Sequence, residues 1–346
     1  MINDRIEQRW LAAFRQVFEL CKVQPGEVVA LLAESQSRPL NIELARLALQ
    51  QLGNQPVTVI VPTPAQTAPV PVRSTGASQA LHGQGAALAA LKASTLVVDL
   101  TVEGLLHAPQ LPEILAAGAR VLMVSNEHPE ALERLVPVAA DEAVARAAIK
   151  ACRAASTMHV SSMAGTDLHI DLTDARTGGV WGWADKPGMV SHWPGGIVVN
   201  FPKAGAVNGR LVMDAGDINL TFKRYLTSSV ELTIENDFVT AIHGVGTDAE
   251  LMRRYLAAWN DVQAYGVSHV GWGLNERARY EALAMYDQRD TNGTELRAFA
   301  GNFLYSTGAN ELAGRFTEGH FDLPLRNCTV TLDGRAVVEA GRLVSA

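Results

Sequence analysis

A change of pattern near residue 155 constrains the fold of this chain more than any other feature. Before it, short and mostly apolar runs at residues 28–32, 57–61, 96–100 and 121–124 alternate with stretches of helical spacing at 41–52, 78–92 and 140–155. Runs of this length read as strands buried on both faces, and their alternation with helices implies parallel strands joined by crossovers. An amphipathic helix precedes them. Trp10, Leu11, Phe14, Val17, Phe18 and Cys21 recur at three- and four-residue spacing, and the pattern stops before Pro25-Gly26. The sequence thus predicts an N-terminal doubly wound α/β domain over 1–155. Within it the proline-rich stretch 61–75, with Pro62, Pro64, Pro69 and Pro71, reads as an extended loop.

After residue 155 strands follow one another closely, separated by Gly, Asp and Asn turns. They fall at 158–161, 168–172, 196–201 and 210–214, with a hairpin pairing 230–234 and 239–242 across Glu235-Asn236-Asp237. One helix at 248–259 interrupts them, and 328–344 reads as a closing hairpin around Asp333-Gly334. The expectation is a metal-binding α+β domain over 156–346 with a curved, mainly antiparallel sheet. A length of 346 residues suits two domains.

Composition narrows function by exclusion. A net charge of −7 gives no general attraction to phosphate backbones or anionic membranes, so neither nucleic acid nor a membrane is expected as a partner. No basic segment followed by an apolar stretch opens the chain, and no apolar run reaches the ~18 residues of a membrane span, so a cytoplasmic location is expected. Cys21, Cys152 and Cys328 are far apart and form no CxxC pair, which argues against a disulfide framework or a thiolate zinc site. Gly83-Gln84-Gly85 lacks the third glycine of a dinucleotide fingerprint, and neither a phosphate-binding loop motif nor a GxSxG elbow occurs.

Chemistry therefore falls to the nine histidines. His82 and His128 sit in polar helical or turn settings and read as structural. His320 and Asp322 flank Phe321 in the extended-looking segment 319–324. Residues two apart on a strand project from the same face, so this imidazole and carboxylate converge while Phe321 turns into apolar packing. His269 lies in the glycine-rich segment GVSHVGWG (266–273), where small residues let a ligand or a second backbone approach closely. Two histidines and a carboxylate are the facial triad of non-haem Fe(II) oxygenases, which leaves coordination positions open for substrate and O2. The bland alternatives are a hydrogen-bonded surface pair for His320 and Asp322 and a core histidine for His269.

These residues lie in blocks that resemble the 2,5-dihydroxypyridine 5,6-dioxygenases of bacterial nicotinic-acid degradation, relatives of the M29 (aminopeptidase T-like) metallopeptidases. The strongest blocks are GVSHVGWG (266–273), AFAGNFLYSTG (298–308) and DLPLRNC (322–328). Weaker ones are LLHAPQLPEIL (105–115), ADKPGMVSHWPGG (184–196) and GDINLTFKRY (216–225). The resemblance implies an M29 aminopeptidase-like fold, Fe(2+) as cofactor, and metal ligands at His269, His320 and Asp322. The implied reaction is extradiol-type opening of a dihydroxypyridine ring with O2 to N-formylmaleamate, in a symmetric homo-oligomer such as a hexamer.

His107 and His192, whose motif neighbours match, are the expected proton donor or acceptor groups, since histidine titrates near neutrality. His107 also follows a predicted parallel strand, and ligands bind at the carboxyl ends of such strands; its alternative is a surface histidine. Ser306, in a Ser-Thr-Gly turn, would hydrogen-bond the ring nitrogen or a substrate oxygen, or merely cap the turn. Trp183, Trp193 and Trp272 are candidate apolar walls or plain core. The alternative function is an M29-like metallohydrolase. Those relatives carry a metal-binding glutamate in each of the stretches matching 200–206 and 268–273 and a histidine in the stretch matching 302–308; this chain lacks all three, which disfavours a two-metal site. One departure concerns 173–183: Val180 stands near where the resemblance implies a carboxylate, which leaves other hydroxylated N-heterocycles open as substrate.

Overall fold

The computed structural model describes residues 5–65, 78–124 and 126–344. Helix α1 (Gln8–Leu20) buries Leu11, Phe14, Val17 and Phe18, the apolar stripe read from their spacing. It stops where Lys22 turns to a φ of 58°, ahead of Pro25. Then follow β1 (Val29–Glu34), α2 (Pro39–Gln51), β2 (Val57–Val61), α3 (Gly85–Lys92), β3 (Leu96–Asp99), α4 (Leu111–Ala116), β4 (Arg120–Met123), α5 (Pro129–Arg134) and α6 (Ala139–Ala154). The strands pair in parallel in the order β2-β1-β3-β4. Helices α1 and α2 cover one face, and α3 and α4 the other. Strands β1, β3 and β4 are buried along their whole length, as expected for a sheet covered on both sides.

One expectation for this half needs correction. The helix predicted over 78–92 begins only at Gly85, because Gly83 adopts a left-handed φ of 70° that interrupts it. Of the proline-rich stretch, residues 66–75 lie outside the described residues.

The rest of the chain contributes β5 (Thr157–Ser162), β6 (Asp167–Asp171), β7 (Arg176–Val180), β8 (Val190–His192), β9 (Ile197–Phe201), β10 (Val207–Met213), β11 (Ile218–Asn219), β12 (Arg224–Tyr225), β13 (Val230–Glu235) and β14 (Phe238–His243). Helix α7 (Thr247–Ala258), β15 (Val267–Gly273), α8 (Ala282–Met285), α9 (Thr294–Ala298), β16 (Phe303–Thr307), β17 (Phe321–Leu325), β18 (Cys328–Leu332), β19 (Arg335–Glu339) and β20 (Arg342–Leu343) complete it. Strand β8 leaves this half and pairs in parallel with β4, Met123 against His192, so the first sheet becomes β2-β1-β3-β4-β8.

The antiparallel part forms two main sheets where one curved sheet was expected. One has eight strands, β14-β13-β10-β6-β5-β18-β19-β20, and the other five, β17-β16-β15-β9-β7. Every residue of β15 is buried, so the five-stranded sheet needs cover on both faces. On one face Val270, Trp272, Phe303, Phe321 and Leu323 share a core with Val160, Leu168, Leu211 and Val330 of the eight-stranded sheet. The parallel half covers the other. Among the described residues no helix is long and apolar enough to cross a membrane.

Phe14 links α1 to the segment that follows β8, its ring meeting that of Trp193 edge-on with centroids 5.1 Å apart. Phe14→Ala should lower the free energy of unfolding by about 3–5 kcal/mol, and a urea melt showing a loss under ~1 kcal/mol would mean that α1 does not support the core.

Candidate active site

Alternation along the five-stranded sheet sorts its residues between the apolar core and the opposite face. On β15, Val270 and Trp272 enter the core while His269 points the other way; on β17, Phe321 and Leu323 enter the core while Asp322 points the other way. His320 lies one residue before β17, in phase with Asp322. Phe321 packs against Tyr255 with centroids 4.8 Å apart, the inward turn expected from the sequence. Cross-strand pairing puts Asp322 beside Ser306 and Ser306 beside His269. Phe201 comes next, its ring centroid 5.3 Å from that of His269, and pairs with Arg176 on the edge strand β7. Gly271 explains part of the glycine richness here, since a Cβ at that position would collide with the carbonyl oxygen of Val198 on β9.

Over this face lies a cavity of about 260 Å³. Its roof comes chiefly from the carboxyl ends of the parallel strands, with Glu103 and His107 after β3, Met123 at the end of β4 and His192 at the end of β8, and Val190 from the start of β8. Ligand crevices of open α/β sheets form in that location. Ile197, Val199, Phe201 and Leu304 make an apolar floor, and Asn292, Thr294 and Arg297 close one side. Trp183, Trp193 and Trp272 belong to the hydrophobic cores and not to the cavity wall.

Three donors converge in this cavity. Nε2 of His320 lies 3.2 Å and Nε2 of His269 lies 3.9 Å from Oδ1 of Asp322. The His107 ring stands over both imidazoles, its centroid 4.9 Å from that of His320 and 5.9 Å from that of His269. Asp322 is almost fully buried, and burial alone would raise its carboxyl. The charges of Arg297 and His320 outweigh that effect and hold it well below the usual carboxylate range. Arg297 Nε donates to Oδ2 at 2.6 Å, and the Ser306 hydroxyl donates to Oδ1. Ser306 is fully buried within β16, a strand where a turn was expected, and does not line the cavity.

Hydrogen bonds settle the tautomers of two of these imidazoles, His269 and His192. The Ser268 hydroxyl donates to the Ala309 carbonyl at 2.6 Å, so at 3.0 Å it accepts from Nδ1–H of His269 and leaves Nε2 with its lone pair facing Asp322. Burial lowers this histidine to about 3. In His192, Nδ1–H donates to the Pro194 carbonyl at 2.6 Å, and burial brings the ring down to about 4 despite that bond. His192 is therefore neutral at pH 7 with Nε2 as an acceptor. His107 is held well below the ordinary imidazole range, by burial first and then by His320 and His269.

Residues 9–345 match the family model described as 2,5-dihydroxypyridine 5,6-dioxygenase. The chain belongs to this family. A relative named 2,5-dihydroxypyridine 5,6-dioxygenase, from Pseudomonas putida, is 40% identical over 336 residues, which is 96% of this chain and 95% of the relative. The solved structure of a 2,5-dihydroxypyridine dioxygenase from Pseudomonas putida superposes with a TM-score of 0.92 at 39% identity, covering 97% of each chain. Wild-type AmpT from Thermus thermophilus has a TM-score of 0.66 at 16% identity, covering 98% of this chain and 99% of its own, and shares the fold alone.

In this dioxygenase-family chain the structure brings together five of the six site residues expected from sequence at one cavity, His107, His192, His269, His320 and Asp322, and puts Ser306 behind Asp322. Sequence reading missed Arg297, since no spacing rule ties an arginine on α9 to a carboxylate 25 positions later. It also missed His159, Asp167 and His169, whose ligand atoms lie within 4.8 Å of one another on β5 and β6 and could hold a metal ion. That group lies on the outer face of the eight-stranded sheet, largely exposed and away from the cavity. Arg297→Met, which strips a buried carboxylate of its counter-charge, should destabilise the metal-free protein by about 3–5 kcal/mol, and an unchanged urea midpoint would show that Asp322 is balanced by other groups.

Proposed function

We propose that this chain opens the ring of 2,5-dihydroxypyridine, or of a close hydroxylated N-heterocycle, with O2 at a single Fe(2+) held by His269, His320 and Asp322. The observation carrying this reading is the convergence of two imidazole nitrogens and one carboxylate oxygen on a ring-sized cavity with an apolar floor. The donor set fits a divalent iron, since two nitrogens and one oxygen leave coordination positions for substrate and O2. Bound there, the metal would supply the redox chemistry that lets O2 react with a closed-shell ring. Both oxygen atoms enter the product as the bond between ring carbons 5 and 6 breaks, giving N-formylmaleamate.

The protein's own groups have distinct tasks in this reading. His192, neutral and with Nε2 free, accepts the proton of a ring hydroxyl, and His107 over the ligand imidazoles is the second group through which protons move. The hydroxyls at ring positions 2 and 5 are para-related and cannot both reach one metal, so orientation falls to the apolar floor and to these two histidines. Ser306 acts as a positioning residue: its hydroxyl fixes Asp322 in place of touching the substrate. The reading draws on both proposed domains, 1–155 for His107 and 156–346 for the metal ligands. A cytoplasmic homo-oligomer, with the hexamer as its expected form, belongs to the same proposal.

A two-metal hydrolase of the M29 type is a poorer fit. The stretch 200–206 contributes Phe201 to the floor, while Lys203 turns away to pair with Asp171 at 3.0 Å, so no second set of ligands stands beside His269 there.

Protein purified without chelator and loaded anaerobically with Fe(2+) should hold one iron per chain by mass spectrometry and consume O2 with 2,5-dihydroxypyridine, and His320→Ala should lose both. Two zinc ions per chain with peptide hydrolysis and no O2 uptake would overturn the proposal. His192→Gln should keep the iron and lower kcat by about 10²–10⁴-fold; loss of iron instead would make His192 a ligand.

A further inference from the structure

We propose that Arg176 is a carboxylate-binding residue at the end of the cavity remote from the metal ligands, and that the preferred substrate is a hydroxylated N-heterocycle bearing a carboxylate on that side. This deepens the dioxygenase reading and rests on it.

The argument starts from strand phase. Arg176, Gly178 and Val180 share one face of β7, and all three line the cavity. The row of cross-strand neighbours from Asp322 through Ser306, His269 and Phe201 ends at Arg176. Two strand spacings separate β15 from β7, so Arg176 starts about 10 Å from His269 along the row. A ring lying over Phe201 with its reacting edge at the metal ligands therefore turns its opposite edge towards Arg176.

Charge makes that edge specific. The other cavity guanidinium, Arg297, is bound to Asp322. Arg176 has no hydrogen bond or ion pair with any described residue. No carboxylate shares its face of β7, where the third residue is Val180. Glu103, the cavity's other carboxylate, acts on Lys223 and Tyr255, and Tyr255 donates to the His320 carbonyl at the opposite end of the row. Space is present as well: a Cβ added at Gly178 would meet nothing within 4 Å, so a ring substituent can lie against this glycine on its way to Arg176. An unpaired guanidinium beside an open shelf, at the end of an otherwise apolar floor, fits a planar carboxylate by a forked pair of hydrogen bonds. Ring carbon 3 lies across the ring from carbon 6, so a 3-carboxylate points to Arg176 and takes no part in the cleavage.

Anaerobic calorimetry on the iron-loaded protein would compare 2,5-dihydroxypyridine-3-carboxylate with 2,5-dihydroxypyridine, and O2 uptake would be followed for both. The wild-type protein should bind the carboxylated ring at least tenfold more tightly. Arg176→Gln should remove that preference and Arg176→Lys should keep part of it. Equal binding of the two rings, or a preference that survives Arg176→Gln, would overturn the inference. Preference for the carboxylated ring through Arg176 with no O2 uptake from either ring would uphold the anion subsite and sink the dioxygenase reading. O2 uptake with no such preference would do the reverse.

Discussion

A carboxylate that is 3% exposed sets the terms for the rest of this structure. Withdrawing such a charge from water costs several kcal/mol unless groups around it compensate. Ser306 and Arg297 compensate Asp322 directly. Arg297 stands on α9, a helix of only five residues that could not hold itself. The backbone N–H groups of Gly293 and Thr294, where α9 begins, donate to Glu127 at 3.0 and 2.7 Å, and Arg134 forks onto Glu295 at 2.6 and 2.9 Å. Glu127 and Arg134 belong to the parallel half, in the loop after β4 and in α5. The charge balance of a carboxylate in the antiparallel half is thus anchored by the other half, and neither would assemble this site alone.

The same dependence appears in the five-stranded sheet. A sheet with one face in a shared core and the other under the parallel half must be apolar on both sides except where chemistry requires otherwise. Its polar intrusions on the cavity face are the row Asp322, Ser306, His269 and, at the open edge, Arg176. Strand phase keeps their neighbours Phe321, Val270 and Trp272 in the core. A one-residue slip of β15 or β17 would drive His269 or Asp322 into that core and a large apolar side chain into the cavity, so the register is fixed by packing on both faces.

What the sequence disclosed was what short-range periodicity encodes. The parallel strands, the helices flanking them, the hairpin at 230–242 and the shared face of His320 and Asp322 are local patterns, and family resemblance supplied the grouping with His269. What stayed hidden depends on partners distant in sequence. Val190–His192 is too short to declare itself as a strand, and only pairing with β4 makes it one and carries His192 into the roof. The 78–92 segment has helical composition throughout, yet the backbone conformation of a single glycine shortens it. Ser306 has a turn's local sequence but lies between two strands that hold it extended. Arg297 and Glu127 act through contacts 25 and about 165 positions away, beyond any spacing rule.

Two groups of two histidines and one aspartate stand out among the described residues, and comparing them shows how far donor identity falls short of explaining a site. His159 and His169 face each other across β5 and β6 with rings stacked 4.5 Å apart, and Asp167 bonds His159 at 2.8 Å. Their side chains are 39%, 68% and 60% exposed, so water screens the charges and competes for every position around an ion. Around Asp322 the donors are the same in kind and the medium is not. Burial keeps the His269 imidazole neutral at any physiological pH, so its lone pair is available without displacing a proton. Ile197, Val199, Phe201 and Leu304 keep the floor beside those donors apolar. AmpT shares the fold at 16% identity, and a shared fold does not by itself set the chemistry of a site. What narrows it here is the combination of three inward donors, a counter-charge borrowed from α9 and a cavity roofed by the other half of the chain.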